Sequence, residues 1–410
     1  MKRILLITGS HVVSCPRLVK NADALHRAGY EVLALGTQTV PAASRMDAAL
    51  AGRRPWRIHF LNLEKRGLWL RAYWKAGRLL AGQLIRGGGA SAVDFCRATA
   101  PWYKWILREL AEFKPDLVLA HTLAGLVPAH LAFQRMGIPF GFDMEDFHAG
   151  EREGGLLDPR NRLADDVLRG CLLSARFVFC AAPLIASEAA KTYGLTEPPV
   201  LLNGFPLASF PWREERLPAK PGLSLAWFSQ TIGMDRGLQD VLVAAALLKG
   251  DFTIHLRGSC GEEVRREIET LARLGGFADR CHIHPWCPPD ELPAWLARHD
   301  VGLALEPRTS VNRDLCISNK ILLYPLAGLA VAATRTRGQE WVMQQAPEMG
   351  FLYEPGDVAG LTAGLQRWLD DPAALAGAKT AARRAAEERF CWEKEEPRFL
   401  KLMETTLAGL

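Results

Sequence analysis

Short apolar runs alternate with longer stretches of roughly 3.6-residue periodicity along most of this chain. The first run, Lys2 to Thr8, predicts a strand. Pro16 to Ala28 predicts an amphipathic helix with Gly29 at its C-cap, and Glu31 to Leu35 predicts the next strand. Further strands are predicted at His59 to Leu63, Asp116 to Ala120, Pro139 to Phe142, Phe177 to Cys180 and Val200 to Leu202. Helices are predicted over 67–86, 92–113, 123–136, 159–174 and 183–193, the first two separated by Gly87, Gly88 and Gly89. Strands joined through helices run parallel, so this half of the chain predicts an α/β, doubly wound sheet.

The alternation is interrupted once. Residues 203–222 begin Asn203-Gly204-Phe205-Pro206 and continue through a proline- and charge-rich run to Pro221 and Gly222, the composition of a linker. The pattern then restarts. Strands at 223–228, 252–257, 281–284, 300–305 and 329–333 alternate with helices at 237–249, 261–274, 290–298 and 319–327, and 358–370 and 373–404 read as helical. We therefore expect two doubly wound domains, 1–205 and 206–385, with 386–410 as a terminal helix. A chain of 410 residues is long enough for two cores. Open parallel sheets bind ligands beyond the C-terminal ends of their strands. Two such edges facing one another across a cleft would hold the two substrates of a transfer reaction.

Composition narrows the class. Apolar residues make up 49% and charged residues 23%, ordinary for a globular enzyme. The nine cysteines show neither a CxxC pair nor a cysteine–histidine zinc spacing, so they read as reduced thiols of a cytoplasmic protein. The apolar start Ile4 to Ile7 is too short for a signal peptide, and no run approaches the length of a membrane span. The net charge of +5 is unevenly placed. Residues 53–114 hold thirteen Lys and Arg against four Asp and Glu, a local +9, which leaves about −4 for the rest. They also hold Trp56, Trp69, Trp74, Trp102 and Trp105, five of the twelve tryptophans. Cations interleaved with tryptophan suit a helix on an anionic membrane surface. Equally, the tryptophans can pack inside while the cations face water. Nucleic acid would use similar residues, but it is not expected as a partner.

The densest chemistry lies at Ser318-Asn319-Lys320-Ile321-Leu322-Leu323-Tyr324-Pro325-Leu326-Ala327-Gly328, followed by an apolar strand. A lysine at a helix N-terminus adds charge to the positive end of the dipole, an arrangement that suits an anion, phosphate above all. Taken alone it would be a surface lysine. The second half of the chain opens on a related device. The strand from Leu225 runs into Ser229, Gly233, Arg236 and Gly237, where backbone N–H groups and a guanidinium converge as a diphosphate requires.

These segments resemble the nucleotide-sugar site of glycosyltransferases with two Rossmann-like domains, the GT-B architecture. Among these the likeness is to the large, mostly retaining family 4-like group that builds bacterial surface polysaccharides and glycolipids. Asn319, Lys320, Tyr324, Ala327, Gly328 and Val331 stand at family positions. Leu323 replaces the ribose-binding glutamate, Leu315 a second glutamate and Ala330 a proline. The resemblance implies that Arg236 and Lys320 contact the donor phosphates, with Ser229, Gly237, Asn319 and Tyr324 around them. It places Trp286 where the nucleobase is held, and has the terminal helix cross back to the first domain. Glu306, at a strand end, is expected to bind sugar hydroxyls or to stand in for the glutamate missing at 323. In the first domain the resemblance implies that the small-residue loop Gly9-Ser10 approaches the donor phosphate or the acceptor; separately, no dinucleotide fingerprint follows Gly9.

Phe142-Asp143-Met144-Glu145-Asp146-Phe147-His148 sets carboxylates just beyond a strand end. Glu145 and Asp146, with His121 at the end of an earlier strand, are the candidates for acceptor hydroxyl recognition or base catalysis. A helix-capping acidic loop and a structural histidine are the plain alternatives. Asp165-Asp166 falls inside a predicted helix and reads as a solvated face. A metal-independent reaction is therefore expected, with fixed cations and helix dipoles meeting the charge on the leaving diphosphate. No cofactor is expected beyond the nucleoside-diphosphate-sugar donor. The expected protein is a cytoplasmic or membrane-associated transferase acting on a glycan or lipid-linked hydroxyl. A non-catalytic binding subunit and a nucleotide-sugar epimerase of the same architecture are the alternatives. The missing glycine fingerprint disfavours a nicotinamide dehydrogenase.

Overall fold

The computed structural model describes residues 1–65, 67–86, 91–210 and 222–409. The glycine separator at 87–89 and the 211–221 stretch of the expected linker lie outside the described residues. The chain divides into two compact units. The first holds Met1–Leu201, Ser310–Asn312 and Glu396–Leu410, the second Leu202–Thr309 and Arg313–Glu395.

In the first unit the order is β1 (Arg3–Ile7), α1 (Pro16–Arg27), β2 (Glu31–Gln38), α2 (Pro41–Arg53), β3 (Arg57–Asn62), α3 (Leu68–Arg86), α4 (Ala92–Thr99), α5 (Tyr103–Phe113), β4 (Leu117–His121), α6 (Leu123–Met136), β5 (Phe140–Met144), α7 (Pro159–Cys171), β6 (Phe177–Cys180) and α8 (Pro183–Tyr193). The strands form one parallel sheet, β3-β2-β1-β4-β5-β6. Ile4 to Ile7 and Leu117 to Ala120 are wholly buried, as expected of central parallel strands covered on both faces. Proline opens α1, α2, α7 and α8, where the first N–H has no partner within the helix.

The second unit repeats the plan with β7 (Leu223–Ile232), α9 (Leu238–Leu247), β8 (Phe252–Cys260), α10 (Glu262–Leu274), β9 (Cys281–His284), α11 (Leu292–Leu296), β10 (Val301–Ala304), α12 (Val311–Leu315, of which Val311 and Asn312 count with the first unit), α13 (Asn319–Leu326), β11 (Ala330–Thr334), α14 (Arg337–Gln345), β12 (Gly350–Tyr353), α15 (Val358–Asp370) and α16 (Pro372–Ala385). Its parallel sheet runs β12-β11-β10-β7-β8-β9. Leu225, Trp227, Ile254, Leu256, Leu303 and Trp368 are among the side chains that fill its core. Helix α17 (Trp392–Ala408) starts in this unit, and from Glu396 onward it belongs to the first. There Phe399 packs on Phe179 and Glu396 pairs with Arg27.

Several elements differ from the sequence pattern for identifiable reasons. Helix α2 was not expected because it has no apolar stripe, Asp47 being its buried residue. The expected helix 92–113 is two, α4 and α5, interrupted at Pro101. The expected helix 373–404 breaks too: α16 passes into a π turn at Ala386–Phe390, and Cys391 is extended. The expected strand at Val200 to Leu202 is reduced to one bridge, Val200 to Cys180. Helix α14 and the edge strand β12 went unpredicted, and β7 continues to Ile232 past an irregularity between Phe228 and Thr231.

Each sheet winds outward in both directions from a central pair of strands. The reversal falls between β1 and β4 in the first unit and between β7 and β10 in the second. Adjacent strands there send their following loops to opposite sides, which opens a crevice at their C-terminal ends.

Candidate functional site

In the second unit the crevice falls among the residues singled out from the sequence. Glu306 follows β10, and its backbone N–H donates to Thr334 Oγ1 at 2.9 Å, which fixes the loop. Ser318 caps α13: its hydroxyl accepts from Lys320 N at 3.2 Å and donates to Glu306 Oε1 at 3.2 Å. Lys320 Nζ donates to the same Oε1 at 2.6 Å and lies 5.6 Å from the centroid of the Trp227 ring. Burial works to raise the Glu306 pKa. The Lys320 ammonium, with Arg313 and the Ser318 hydroxyl, overrides that and holds the carboxyl below its ordinary value. The result is an ammonium at a helix N-terminus, held by one carboxylate, the arrangement that suits an anion.

The remaining donor candidates surround this trio unevenly. Gly237 ends the loop after β7 with φ +76°, and a Cβ there would stand 3.2 Å from Leu305 Cβ, so glycine is needed on both counts. Arg236 is half-exposed beside Asp235, and Arg313 ties this loop to the Glu306 side by donating to Asp235 O at 3.1 Å. Ser229 is half-buried within β7 itself. Asn319 is exposed, and its side-chain oxygen accepts from Asn203 Nδ2 at 2.9 Å. Trp286 is 40% exposed beyond β9, which removes the core-packing alternative. Tyr324 corrects the sequence reading. It is fully buried, its hydroxyl donates to Leu303 O at 3.1 Å and its ring meets Phe228 edge-on, so it is a core residue rather than a ligand contact. Leu323 and Leu315, at the two glutamate positions of the resembled family, are buried as well.

In the first unit the crevice is lined by a denser network. Gly9 follows β1 and packs so closely on α6 that a Cβ would fall 2.1 Å from Ala124 Cβ. The Ser10 hydroxyl is paired with that of Thr8 at 3.0 Å. Arg17, in the first turn of α1, forks onto Asp143 at the end of β5 with two 2.8 Å hydrogen bonds, and donates a third to Leu201 O at 2.9 Å. His121, at the end of β4, places Nδ1 3.1 Å from the same carboxylate. Burial works to raise the Asp143 pKa, and the Arg17 guanidinium with His121 overrides it, holding the group at about 2. An ionised Asp143 only accepts, so Nδ1 of His121 donates to it and Nε2 is the second ring nitrogen. That Nε2 is buried with no partner among the described residues.

Glu145 lies next along the chain. Burial lifts its pKa to about 7, with Arg17 and Lys20 opposing and Asp146 and Asp143 adding to the rise. Lys20, buried one turn after Arg17, is pushed down to about 7 by burial and by the Arg17 charge. Asp146 is occupied differently: its Oδ1 accepts from Asn312 Nδ2 at 2.9 Å, and Asn312 Oδ1 accepts from Phe147 N at 2.7 Å, which makes Asp146 an anchor of the loop. Asp165, read from sequence as solvated, is buried and pairs with Arg169 at 2.9 Å. Sequence reasoning missed Arg17, Lys20 and the role of Asp143. The available signal was that Arg17, Lys20, Asn21 and Ala24 fall on one stripe of α1, the stripe that faces the core. Among the described residues no group of three His, Cys, Asp or Glu is placed to hold a metal ion.

With this geometry in hand, the comparisons with known proteins are specific. Residues 225–371 match the family described as glycosyl transferases group 1. That segment, about a third of the chain, is similar to group 1 glycosyltransferases. The matched segment contains Arg236, Glu306, Ser318 and Lys320. In fold, the chain is similar to sucrose-phosphate synthase from Thermosynechococcus elongatus, at 16% identity over 100% of each chain with a TM-score of 0.74. It is similar to Anabaena HepE in complex with UDP and glucose, at 16% identity over 100% of each chain and a TM-score of 0.71. WaaG, a glycosyltransferase involved in lipopolysaccharide biosynthesis, aligns at 13% identity over 97% of this chain and 98% of its own, with a TM-score of 0.60. At these identities the likeness is one of fold, and the fold is the GT-B architecture with two Rossmann-like domains. No curated protein matches the sequence.

Proposed function

We propose that this glycosyltransferase moves a sugar from a nucleoside-diphosphate donor to a hydroxyl of a glycan or lipid-linked acceptor, with retention of anomeric configuration, in the cytoplasmic assembly of bacterial surface polysaccharide or glycolipid. The observation that carries the reading is the Lys320–Glu306–Ser318 cluster at the N-terminus of α13, set at the winding reversal of the second sheet. When the bond between the sugar and the diphosphate breaks, its electron pair stays on the phosphate oxygen. Lys320, the α13 N-terminus and Arg236 stabilise that charge. Glu306, released from Lys320, takes sugar hydroxyls, and exposed Trp286 stacks on the base. On the acceptor side the hydroxyl oxygen bonds to the anomeric carbon and its proton passes to His121 Nε2, while Asp143, fixed by Arg17, holds the ring. Contact with an anionic membrane belongs to the same proposal and is argued below.

The test is thermal-shift or calorimetric binding of UDP, GDP, ADP, CMP and TDP to wild type and Lys320→Ala, with UDP first because HepE, similar in fold, was solved with UDP and glucose. One nucleotide should stabilise the wild type, with affinity about 10- to 100-fold weaker in the variant, the loss expected for a hydrogen bond to a charged group. No stabilisation by any of the five would reject the donor site. Binding without turnover would favour a non-catalytic subunit, and conversion of a donor sugar without acceptor would favour an epimerase.

A further inference from the structure

We propose that the outward face of α3 docks on an anionic lipid bilayer. This helix turns two apolar faces in different directions. The inner one carries Ala81 and Ile85, both buried, and Trp74, whose ring meets Trp102 edge-on at 6.3 Å between centroids. The outer one carries Leu68, Trp69, Tyr73, Leu79, Leu80 and Leu84, all more than half exposed, with Trp69 at 90% and Leu68 at 82%. At about 100° per residue these six fall within one half of the helix circumference. Scattered exposed leucines are ordinary, but six large apolar side chains on one arc of one helix mark an interaction surface.

Charge selects the occupant. Helix α3 contains Arg71, Lys75, Arg78 and Arg86 and no acidic residue, within a window of net charge +9. A second copy of this face would bring like charges together, which disfavours a dimer through it. An anionic bilayer accommodates both features: the leucines enter the acyl boundary, Trp69 and Tyr73 settle at headgroup depth, and Lys75 and Arg86, exposed at the edge of the apolar arc, meet the headgroups, while Arg78 lies over the Trp102 ring on the inner side. Among the described residues no helix is long and apolar enough to cross a membrane, so α3 lies in the plane of the surface. The two readings of the tryptophan-rich window thus apply to different residues. Trp56 is buried with its indole N–H donating to Asp23 at 2.7 Å, while Trp69 faces outward.

The experiment is co-sedimentation of the full chain with phosphatidylcholine vesicles and with vesicles containing phosphatidylglycerol, at low and high salt. The variants are Trp69→Ser with Leu80→Ser, and Lys75→Glu alone. Wild type should sediment with the anionic vesicles, several-fold less at high salt. The serine pair should reduce binding about tenfold or more, with an unchanged melting temperature because both side chains are exposed. Lys75→Glu should weaken binding to the anionic vesicles alone. Equal sedimentation of the serine pair and wild type would overturn the proposal, as would no sedimentation with either vesicle. So would lipid-free self-association that the serine pair abolishes, since the occupant would then be a second copy.

Discussion

Each unit sets a cation against a carboxylate at the winding reversal of its sheet, and the two pairs are built differently. Arg17 and Asp143 are side chains of 4% and 0% exposure, joined by a fork of two hydrogen bonds, with a carbonyl and a histidine taking up the remaining groups. Lys320 and Glu306 are 10% and 13% exposed and share a single 2.6 Å contact. A guanidinium fork fixes geometry, whereas an ammonium is a point charge on a flexible stem that can turn to a new partner. The first pair therefore serves position: it sets the His121 ring and its tautomer. In the proposed reaction the second serves exchange: it holds a cation in place until a diphosphate displaces the carboxylate.

The strongest way to break this comparison is to remove each cation. Arg17→Ala leaves the Asp143 carboxylate buried with its main partner gone and should cost about 3–5 kcal/mol of unfolding free energy. In Lys320→Ala, Glu306 keeps its Ser318 hydrogen bond and some access to water, so the cost should stay near 1–2 kcal/mol. Urea unfolding of both variants measures the difference. Equal losses would mean that the two pairs are the same structural device, and the assignment of exchange to Lys320 would fall.

The contrast also explains what could be read from the sequence. The sheets were legible because their strands are buried on both faces, so Ile4 to Ile7 and Leu117 to Ala120 stand out as unbroken apolar runs. Lys320 was legible because its surroundings are local: Ser318 caps the same helix and Glu306 lies only 14 residues away. The Arg17–Asp143 fork spans 126 residues, and no local pattern joins them. Tyr324 was misread because residues on one α13 turn face either the loop or the core, and only packing on Phe228 decides which. Helix α2 escaped notice because its interior contact is Asp47, whose carboxylate takes the His11 ring at 2.6 Å and the Val13 N–H at 2.9 Å, instead of an apolar stripe.

A smaller effect sharpens the first unit's side. Glu145 has its pKa raised from 4.5 to about 7, with burial the largest cause. A raised folded-state value gives stability that is complete below the unfolded pKa and is lost as the pH climbs through about 7. Wild type should therefore lose stability relative to Glu145→Gln between about pH 5 and pH 8, by roughly 1–3 kcal/mol. Lys20, depressed to about 7, has the opposite sign, losing its contribution as the pH falls through that value. It is present in both proteins and largely cancels in the difference. Unfolding midpoints at the two pH values measure the effect, and a pH-independent difference would show that Glu145 stays ionised in the fold and cannot hold a proton for the acceptor.

The smallest expected effect lies beside His121. Thr122 has φ +65° and ψ 160°, a conformation that costs a non-glycine residue about 1–3 kcal/mol. Its hydroxyl accepts the Gly9 N–H at 3.3 Å, so the strained residue links the loop after β1 to the loop after β4. Thr122→Gly relieves the strain, loses that hydrogen bond and gives the unfolded chain more freedom, and these terms nearly offset. Stability should change by less than about 1 kcal/mol. The position of His121, and with it turnover at saturating donor, should suffer more than the melting temperature does. A variant with full turnover would place the strain in the fold alone, and positioning in this unit would then rest on Arg17 and Asp143 without help from the loop.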